Sequence, residues 1–165
     1  SMGGQLALGI AAAHPDRVRG ALLLCPVPPA GLALPDEARG LFRGSADNRG
    51  MQGTILGLAC KRLSDEARER MLDDAGKVAP EAIEQGFDAW TGGAFADQLD
   101  RVKAPVLVVA TDDPFLPAAF LRQAVVSRLS RASLAYLPGP GHYPQVESPR
   151  ETAALLTAFA AGLPA

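Results

Sequence analysis

Three short runs of apolar residues are spaced along the chain. They cover residues 20–25 (GALLLC), 104–110 (APVLVVA) and 133–137 (SLAYL). Short continuous apolar runs are typical of strands that are buried on both faces, as in a parallel sheet. We therefore predict three strands at these positions.

Helical patterns flank the predicted strands. Residues 4–13 are small or apolar and free of Pro, and a further helix is predicted at about 117–129. The last helix is predicted to begin at Ser148, with Pro149 in the first helical position and Glu151 three residues after the cap, a pattern that satisfies free N–H groups at a helix start. Strands alternating with helices predict an α/β fold with a parallel sheet, flanking helices and right-handed crossovers.

The stretch between the first two strands has a different character. From Leu34 to Gln98 charged residues are frequent, apolar residues recur at helical spacing, and Gly or Pro interrupts the pattern repeatedly. We predict several short helices here that form a lid. The predicted division is a core of residues 1–33 and 99–165 and a lid of residues 34–98. Because three short parallel strands cannot make a well-covered sheet alone, we expect the N-terminal strands from preceding residues or a partner chain.

Charge and composition narrow the possible functions. The formal net charge of −2 over 165 residues leaves no basic face for nucleic acid, and no apolar run approaches the roughly 20 residues that span a membrane. Two histidines and two cysteines, Cys25 and Cys60, lack metal-ligand spacing, so we expect reduced thiols and no metal. A cytoplasmic location is expected.

Ser1-Met2-Gly3-Gly4 begins the chain, directly before the first predicted helix. It resembles the nucleophile elbow, G-x-S-x-G, of the α/β-hydrolase family, with Gly3 as the second glycine. The resemblance implies that Ser1 is a nucleophile raised on a sharp strand-to-helix turn, where a Cβ in place of the glycine hydrogens would collide with neighbouring backbone. It also implies that the Met2 backbone N–H contributes to an oxyanion hole.

Two later segments resemble the same family. Residues 110–117 (ATDDPFLP) follow a predicted strand and are similar to the acid loop, G-x-x-D-x-x-x-P, which implies Asp113 as the acid; Asp112 is the rival carboxylate. Residues 141–149 (GHYPQVESP) closely resemble the histidine motif G-H-x-P-x-x-E-x-P of lid-bearing esterases and haloperoxidase-like enzymes, which implies His142 as the base. The chain order Ser, Asp, His is that of the fold. His14, at the end of the first helix, is predicted to have only a structural role.

The resemblance implies a serine hydrolase that needs no cofactor. Ser1 would attack a small ester, lactone or thioester, with His142 as base and Asp113 orienting it. The aromatic residues Trp90, Phe115 and Tyr143 are candidates for the substrate pocket, although core packing explains them equally well. The expected partners are a small-molecule substrate and the N-terminal half of the fold, which supplies the second oxyanion donor.

Several alternatives remain open on the sequence. Ser1-Met2 could be an artificial leader before a natural start at Gly3, or a free amine at Ser1 could act as the base, as in N-terminal-nucleophile hydrolases. The same three groups would also suit C–C bond hydrolysis, acyl transfer or cofactor-free perhydrolysis. From another class, the protein could be a non-catalytic small-molecule receptor, or the chain an inactive fragment. A serine at the elbow disfavours dehalogenase and epoxide hydrolase chemistry, which use a carboxylate nucleophile.

Overall fold

The computed structural model describes residues 1–164. Helices and strands alternate at both ends of the chain and enclose a helical stretch. In chain order the elements are α1 (Met2–Ala13), β1 (Ala21–Leu24), α2 (Asp36–Gly44), α3 (Arg49–Ala59), α4 (Asp65–Ala75), α5 (Pro80–Gly92), a 3₁₀ turn (Ala96–Arg101), β2 (Val106–Ala110), α6 (Ala118–Ala124), a 3₁₀ turn (Val126–Arg128), β3 (Ala132–Tyr136), α7 (Pro144–Glu147) and α8 (Pro149–Ala161).

The three strands form one parallel sheet in the order β1-β2-β3. Ala21 lies opposite Val106, which in turn lies opposite Ala132. Each consecutive pair of strands is linked by helices, as a parallel ladder requires. The prediction of an α/β fold with a parallel sheet and flanking helices is therefore confirmed.

Helix α1 packs on the sheet through one leucine and two alanines. Leu8 is fully buried, and Ala11 and Ala12 are almost so. A Cβ added at Gly4 would lie 2.6 Å from the Cβ of Pro26, whereas one added at Gly3 would meet no described atom within 4 Å. Among residues 1–164 the close approach at the start of this helix therefore falls on Gly4, and not on Gly3 as the elbow pattern suggests.

The opposite face of α1 is apolar and open. Met2, Leu6 and Ile10 follow one another at four-residue spacing and are 38–57% exposed. This spacing places their side chains on one side of the helix, away from Leu8.

Two helix predictions need correction. The helix predicted at 117–129 ends at Ala124 and is followed by a 3₁₀ turn. Two successive β-branched residues, Val125 and Val126, disfavour a helix here, and the side chain of Val125 is fully buried in the core. The predicted capping by Ser148 is absent: its side chain makes no cap hydrogen bond, because the residue is buried where the short helix α7 runs directly into α8.

Residues 34–98 are helical as predicted, in α2 to α5. The two ends of this helical segment meet, since Leu32 N–H donates to the carbonyl of Thr91 and Ala94 N–H donates to that of Pro29. A Cβ at Gly93, which has φ of 71°, would lie 2.3 Å from the carbonyl carbon of Ala30, so glycine is required at this crossing. In the part of the chain that the structure describes, no helix is both long and apolar enough to cross a membrane.

Candidate active site

The predicted site residues lie at one edge of the sheet. Ser1 immediately precedes α1; its nitrogen donates to the carbonyl of Leu24, the last residue of β1, and its carbonyl accepts from Val27 N–H. Asp113 follows β2 and His142 follows β3. Because the strands are parallel, their carboxyl ends meet at this edge, which is where open α/β sheets bind ligands.

His142 and Asp113 are paired directly. The ring Nδ1 lies 2.7 Å from Asp113 Oδ2, and both side chains are buried. The other oxygen of Asp113 accepts the backbone N–H of Phe115 at 2.9 Å. A carboxylate held in this way fixes the orientation of the ring and directs its second nitrogen, Nε2, elsewhere.

The rival carboxylate, Asp112, points away from the histidine. It is exposed and accepts hydrogen bonds from the Tyr136 hydroxyl and from Gly139 N–H. These donors hold the pKa of the Asp112 carboxyl below its usual value, with the Tyr136 hydroxyl as the larger cause. Geometry therefore pairs His142 with Asp113 and leaves Asp112 as a surface contact.

Ser1 and His142 face a common cavity of about 290 Å³. In the described chain no hydrogen bond joins their side chains, which is common before substrate binds. The three predicted pocket residues, Trp90, Phe115 and Tyr143, also line this cavity. The remaining lining residues are apolar: Val27, Leu32, Ala33, Leu34, Phe42, Ile55, Ala59 and Leu116.

An aromatic cluster closes one side of the cavity. The ring of Phe42 meets Trp90 edge-on with centroids 5.4 Å apart and lies 6.2 Å from Phe115. Gln5 on α1 donates its amide to the carbonyls of Pro28 and Trp90. The helical segment is thereby attached to the helix that carries Ser1.

Met2 is the first residue of α1, so its backbone N–H has no partner within the helix. This is the position that the oxyanion-hole hypothesis requires. His14 lies exposed at the other end of the same helix, away from the paired side chains.

Thr111 joins the two loops, a contact that no sequence motif indicated. Its buried hydroxyl donates to the Gly141 carbonyl at 2.7 Å and accepts Asp113 N–H at 3.2 Å. A threonine two residues before a loop aspartate is the only signal in the sequence. Its partner on the second loop is visible only in the fold.

One group of side chains could offer ligands to a metal. Atoms of Cys25, Asp113 and His142 lie within 4.8 Å of one another. Burial raises the pKa of the Cys25 thiol to about 11, and the ring Nδ1 is already bound to Asp113. Metal binding requires a thiolate, so a thiol that burial keeps protonated makes this set fit a metal poorly. Both cysteines are free thiols, as predicted.

Gly141, next to the histidine, allows a close contact that any side chain would prevent. A Cβ there would lie 2.1 Å from the carbonyl oxygen of Ala59. We expect Gly141→Ala to lower the free energy of unfolding by about 1–3 kcal/mol through overpacking, measured by chemical denaturation. Gly57→Ala on helix α3 is the control; a Cβ there meets nothing, so stability should rise by up to about 1 kcal/mol. Equal effects of the two substitutions would refute the contact.

Known proteins resemble this chain in sequence and in fold. The model of the alpha/beta hydrolase family matches residues 1–155. A pimeloyl-[acyl-carrier protein] methyl ester esterase of Neisseria meningitidis is 28% identical, with 98% of this chain and 67% of the relative covered. An N-acyl homoserine lactone degrading enzyme is 28% identical with a TM-score of 0.72, covering 96% of this chain and 64% of the other. A bromoperoxidase of Bacillus anthracis has a TM-score of 0.86 at 19% identity, covering 97% and 64%.

These matches show the family of the chain. The chain spans 55–64% of the length of the solved structures it resembles, so part of their fold has no counterpart in it. The match to the family model nevertheless extends over almost the whole chain, from Ser1 to residue 155. This chain therefore belongs to the alpha/beta hydrolase family.

Proposed function

We propose that the protein is a serine hydrolase that cleaves small ester-like substrates through an acyl-enzyme on Ser1. The observation that carries the proposal is the 2.7 Å bond between His142 Nδ1 and Asp113 Oδ2 beside a cavity that also contains Ser1. A base oriented by a buried carboxylate next to a serine at a helix N-terminus is the arrangement that activates a hydroxyl nucleophile.

The proposed reaction has two halves. His142 takes the proton of the Ser1 hydroxyl while Oγ attacks the substrate carbonyl, and the protonated ring then gives this proton to the leaving alcohol. Water, deprotonated by the same ring, then attacks the acyl carbonyl; the bond to Ser1 Oγ breaks, the acid leaves, and the ring returns the proton to Oγ. The Asp113 carboxylate stabilises the imidazolium in both halves, and Met2 N–H donates to the oxyanion. The chemistry requires no cofactor.

An ester-like substrate with an apolar group suits the cavity. Apart from Ser1 and His142 its lining is apolar or aromatic, and no side chain in it carries a fixed charge. A charged acyl group would lose its hydration there without a partner. Two relatives at 28% identity, one named as a methyl ester esterase and one as a lactone degrading enzyme, support the same substrate class.

The solved relatives contain a part of the fold that has no counterpart in this chain. We propose that residues outside this chain supply the N-terminal strands and the second oxyanion donor, and that residues 34–98 act as the lid. The exposed apolar stripe of Met2, Leu6 and Ile10 supports an additional packing element on α1.

The proposal is tested by turnover of the full-length protein on a panel of carboxylic esters, lactones, thioesters and β-diketones. Hydrolysis of esters with a burst of alcohol equal to the enzyme concentration is expected. Cleavage of β-diketones alone would indicate a C–C bond hydrolase, and acyl transfer or perhydrolysis would appear as a product other than the free acid. Tight binding of a small molecule without Ser1-dependent turnover would indicate a receptor.

Narrowing the cavity should select against long acyl chains. Ala33 lines it from an exposed position, so Ala33→Phe is expected to fold normally. We expect kcat/KM for a long-chain ester to fall at least roughly tenfold more than that for an acetate ester. Ala82→Phe, on the exposed surface of α5, is the matched control and should change neither value. Equal losses for both esters with Ala33→Phe would place the acyl group elsewhere.

A further inference from the structure

The carboxylate of Glu147, at the end of α7, accepts hydrogen bonds from backbone N–H groups in two separate parts of the chain. From the α3–α4 junction, its Oε2 accepts Lys61 N–H at 2.6 Å and Arg62 N–H at 2.8 Å. From the loop around His142, its oxygens accept Gly141 N–H at 3.0 and 3.1 Å and Tyr143 N–H at 3.2 Å. No cationic side chain takes part in these bonds.

The backbone on both sides of the histidine is held by these contacts. Glu147 binds Gly141 and Tyr143, and the N–H of His142 itself donates to the Ala59 carbonyl at 2.9 Å. Three consecutive N–H groups of the loop are therefore bonded, all to α7 or to the end of α3. The Arg62 guanidinium also packs against Gly139, where a Cβ would lie 2.3 Å from it.

A carboxylate is well suited to this position. Partial burial alone would raise the pKa of the Glu147 carboxyl, but the N–H groups of Gly141, Arg62, Lys61 and Tyr143 outweigh it and the pKa lies below its usual value. The charge is therefore kept at neutral pH, and hydrogen bonds to an ionised acceptor are the stronger kind. An amide would place its own N–H₂ group against at least one of these donors.

We propose that Glu147 is a positioning residue for the catalytic base. Resting on the proposed function, this assigns to Glu147 the task of fixing the backbone of residues 141–143, so that the His142 ring reaches both Asp113 and the Ser1 cavity. The same carboxylate binds the α3–α4 junction, so that residues 59–62 of the helical segment support the base, and Ala59 also lines the cavity.

Loss of the Glu147 contacts should lower kcat and leave KM unchanged. Glu147 does not line the cavity; its carboxylate accepts backbone N–H groups of the loop and is also hydrogen-bonded to the Cys60 thiol. Loosening the loop should therefore weaken proton transfer at His142 while leaving substrate binding intact. Misplacement by about 1 Å at a catalytic group can cost roughly a hundredfold in rate.

The test compares Glu147→Gln with Glu151→Gln in the full-length protein. Glu151 is an exposed acid in the first turn of α8 and serves as the matched control. Each variant is labelled to completion with a fluorophosphonate to count active sites, and kcat is expressed per site. Glu147→Gln is expected to lower kcat per site by roughly 10- to 100-fold with KM within about twofold, and Glu151→Gln to change neither.

The outcomes separate this inference from the proposed function. If Glu147→Gln loses sites in proportion to activity, with kcat per site unchanged, the residue is merely structural and the inference is overturned. If the wild-type protein neither turns over esters nor takes the label, the proposed function fails instead, and the inference with it. Should Glu147→Gln not fold, as judged by circular dichroism, Glu147→Asp decides, because it keeps the charge and shortens its reach; an unchanged kcat per site would then overturn the inference.

Discussion

Replacing His142 by Ala is expected to lower ester turnover by roughly 10⁴- to 10⁶-fold, the range found when a catalytic triad acts as a unit. Among the side chains of residues 1–164 that line the cavity, the ring is the only base beside Ser1. Without it the serine hydroxyl stays protonated and attacks slowly. Steady-state rates on an activated ester, measured with the full-length protein, check the prediction.

His14→Ala provides the matched control for that substitution. His14 is the only other histidine and lies exposed at the end of α1. Its removal should leave kcat within about twofold, since it contacts no part of the cavity. A His142→Ala variant as active as His14→Ala would eliminate His142 as the base.

Replacing Asp113 by Asn should have the second largest effect, a fall in kcat of roughly 10⁴-fold. The substitution keeps the shape of the side chain, so the Phe115 N–H can still be accepted. The amide nitrogen would meet His142 Nδ1 as a donor and force the ring into the wrong tautomer. Turnover and the circular dichroism spectrum, measured together, separate this effect from unfolding.

Asp112→Asn distinguishes the two neighbouring carboxylates. Asp112 contacts Tyr136 and Gly139 at the surface and has no contact with the ring. We expect less than about a tenfold loss of kcat from this variant, because an amide oxygen still accepts hydrogen bonds. A larger loss from Asp112→Asn than from Asp113→Asn would contradict the pairing seen in the structure.

The sequence predicted the parts of the fold that depend on local pattern. The runs at 20–25 and 104–110 became β1 and β2, and β2 is buried at four of its five residues, as a continuous apolar run in a parallel sheet predicts. Within the site, the spacing from Asp113 to Pro117 separated Asp113 from its neighbour, and the structure pairs that residue with His142.

Features that depend on contacts distant in sequence could not be predicted. Thr111 reaches Gly141 across 30 residues, and Glu147 reaches Lys61 across 86, so neither contact leaves a local pattern. Helix α7 is a single turn within a loop, too short to show helical spacing. Ser148 has the local sequence pattern of a helix cap, but its side chain makes no cap hydrogen bond because contacts with distant residues bury it.

The most direct test of the account is covalent labelling of the full-length protein with a fluorophosphonate, followed by peptide mass spectrometry. We expect one adduct, on the serine at position 1 of this chain. The Ser1→Ala variant should keep the fold and lose the adduct. The His142→Ala variant should be labelled far more slowly, because the reagent reports the activated hydroxyl. No adduct, or an adduct on another residue that persists in Ser1→Ala, would contradict the assignment of Ser1 as the nucleophile.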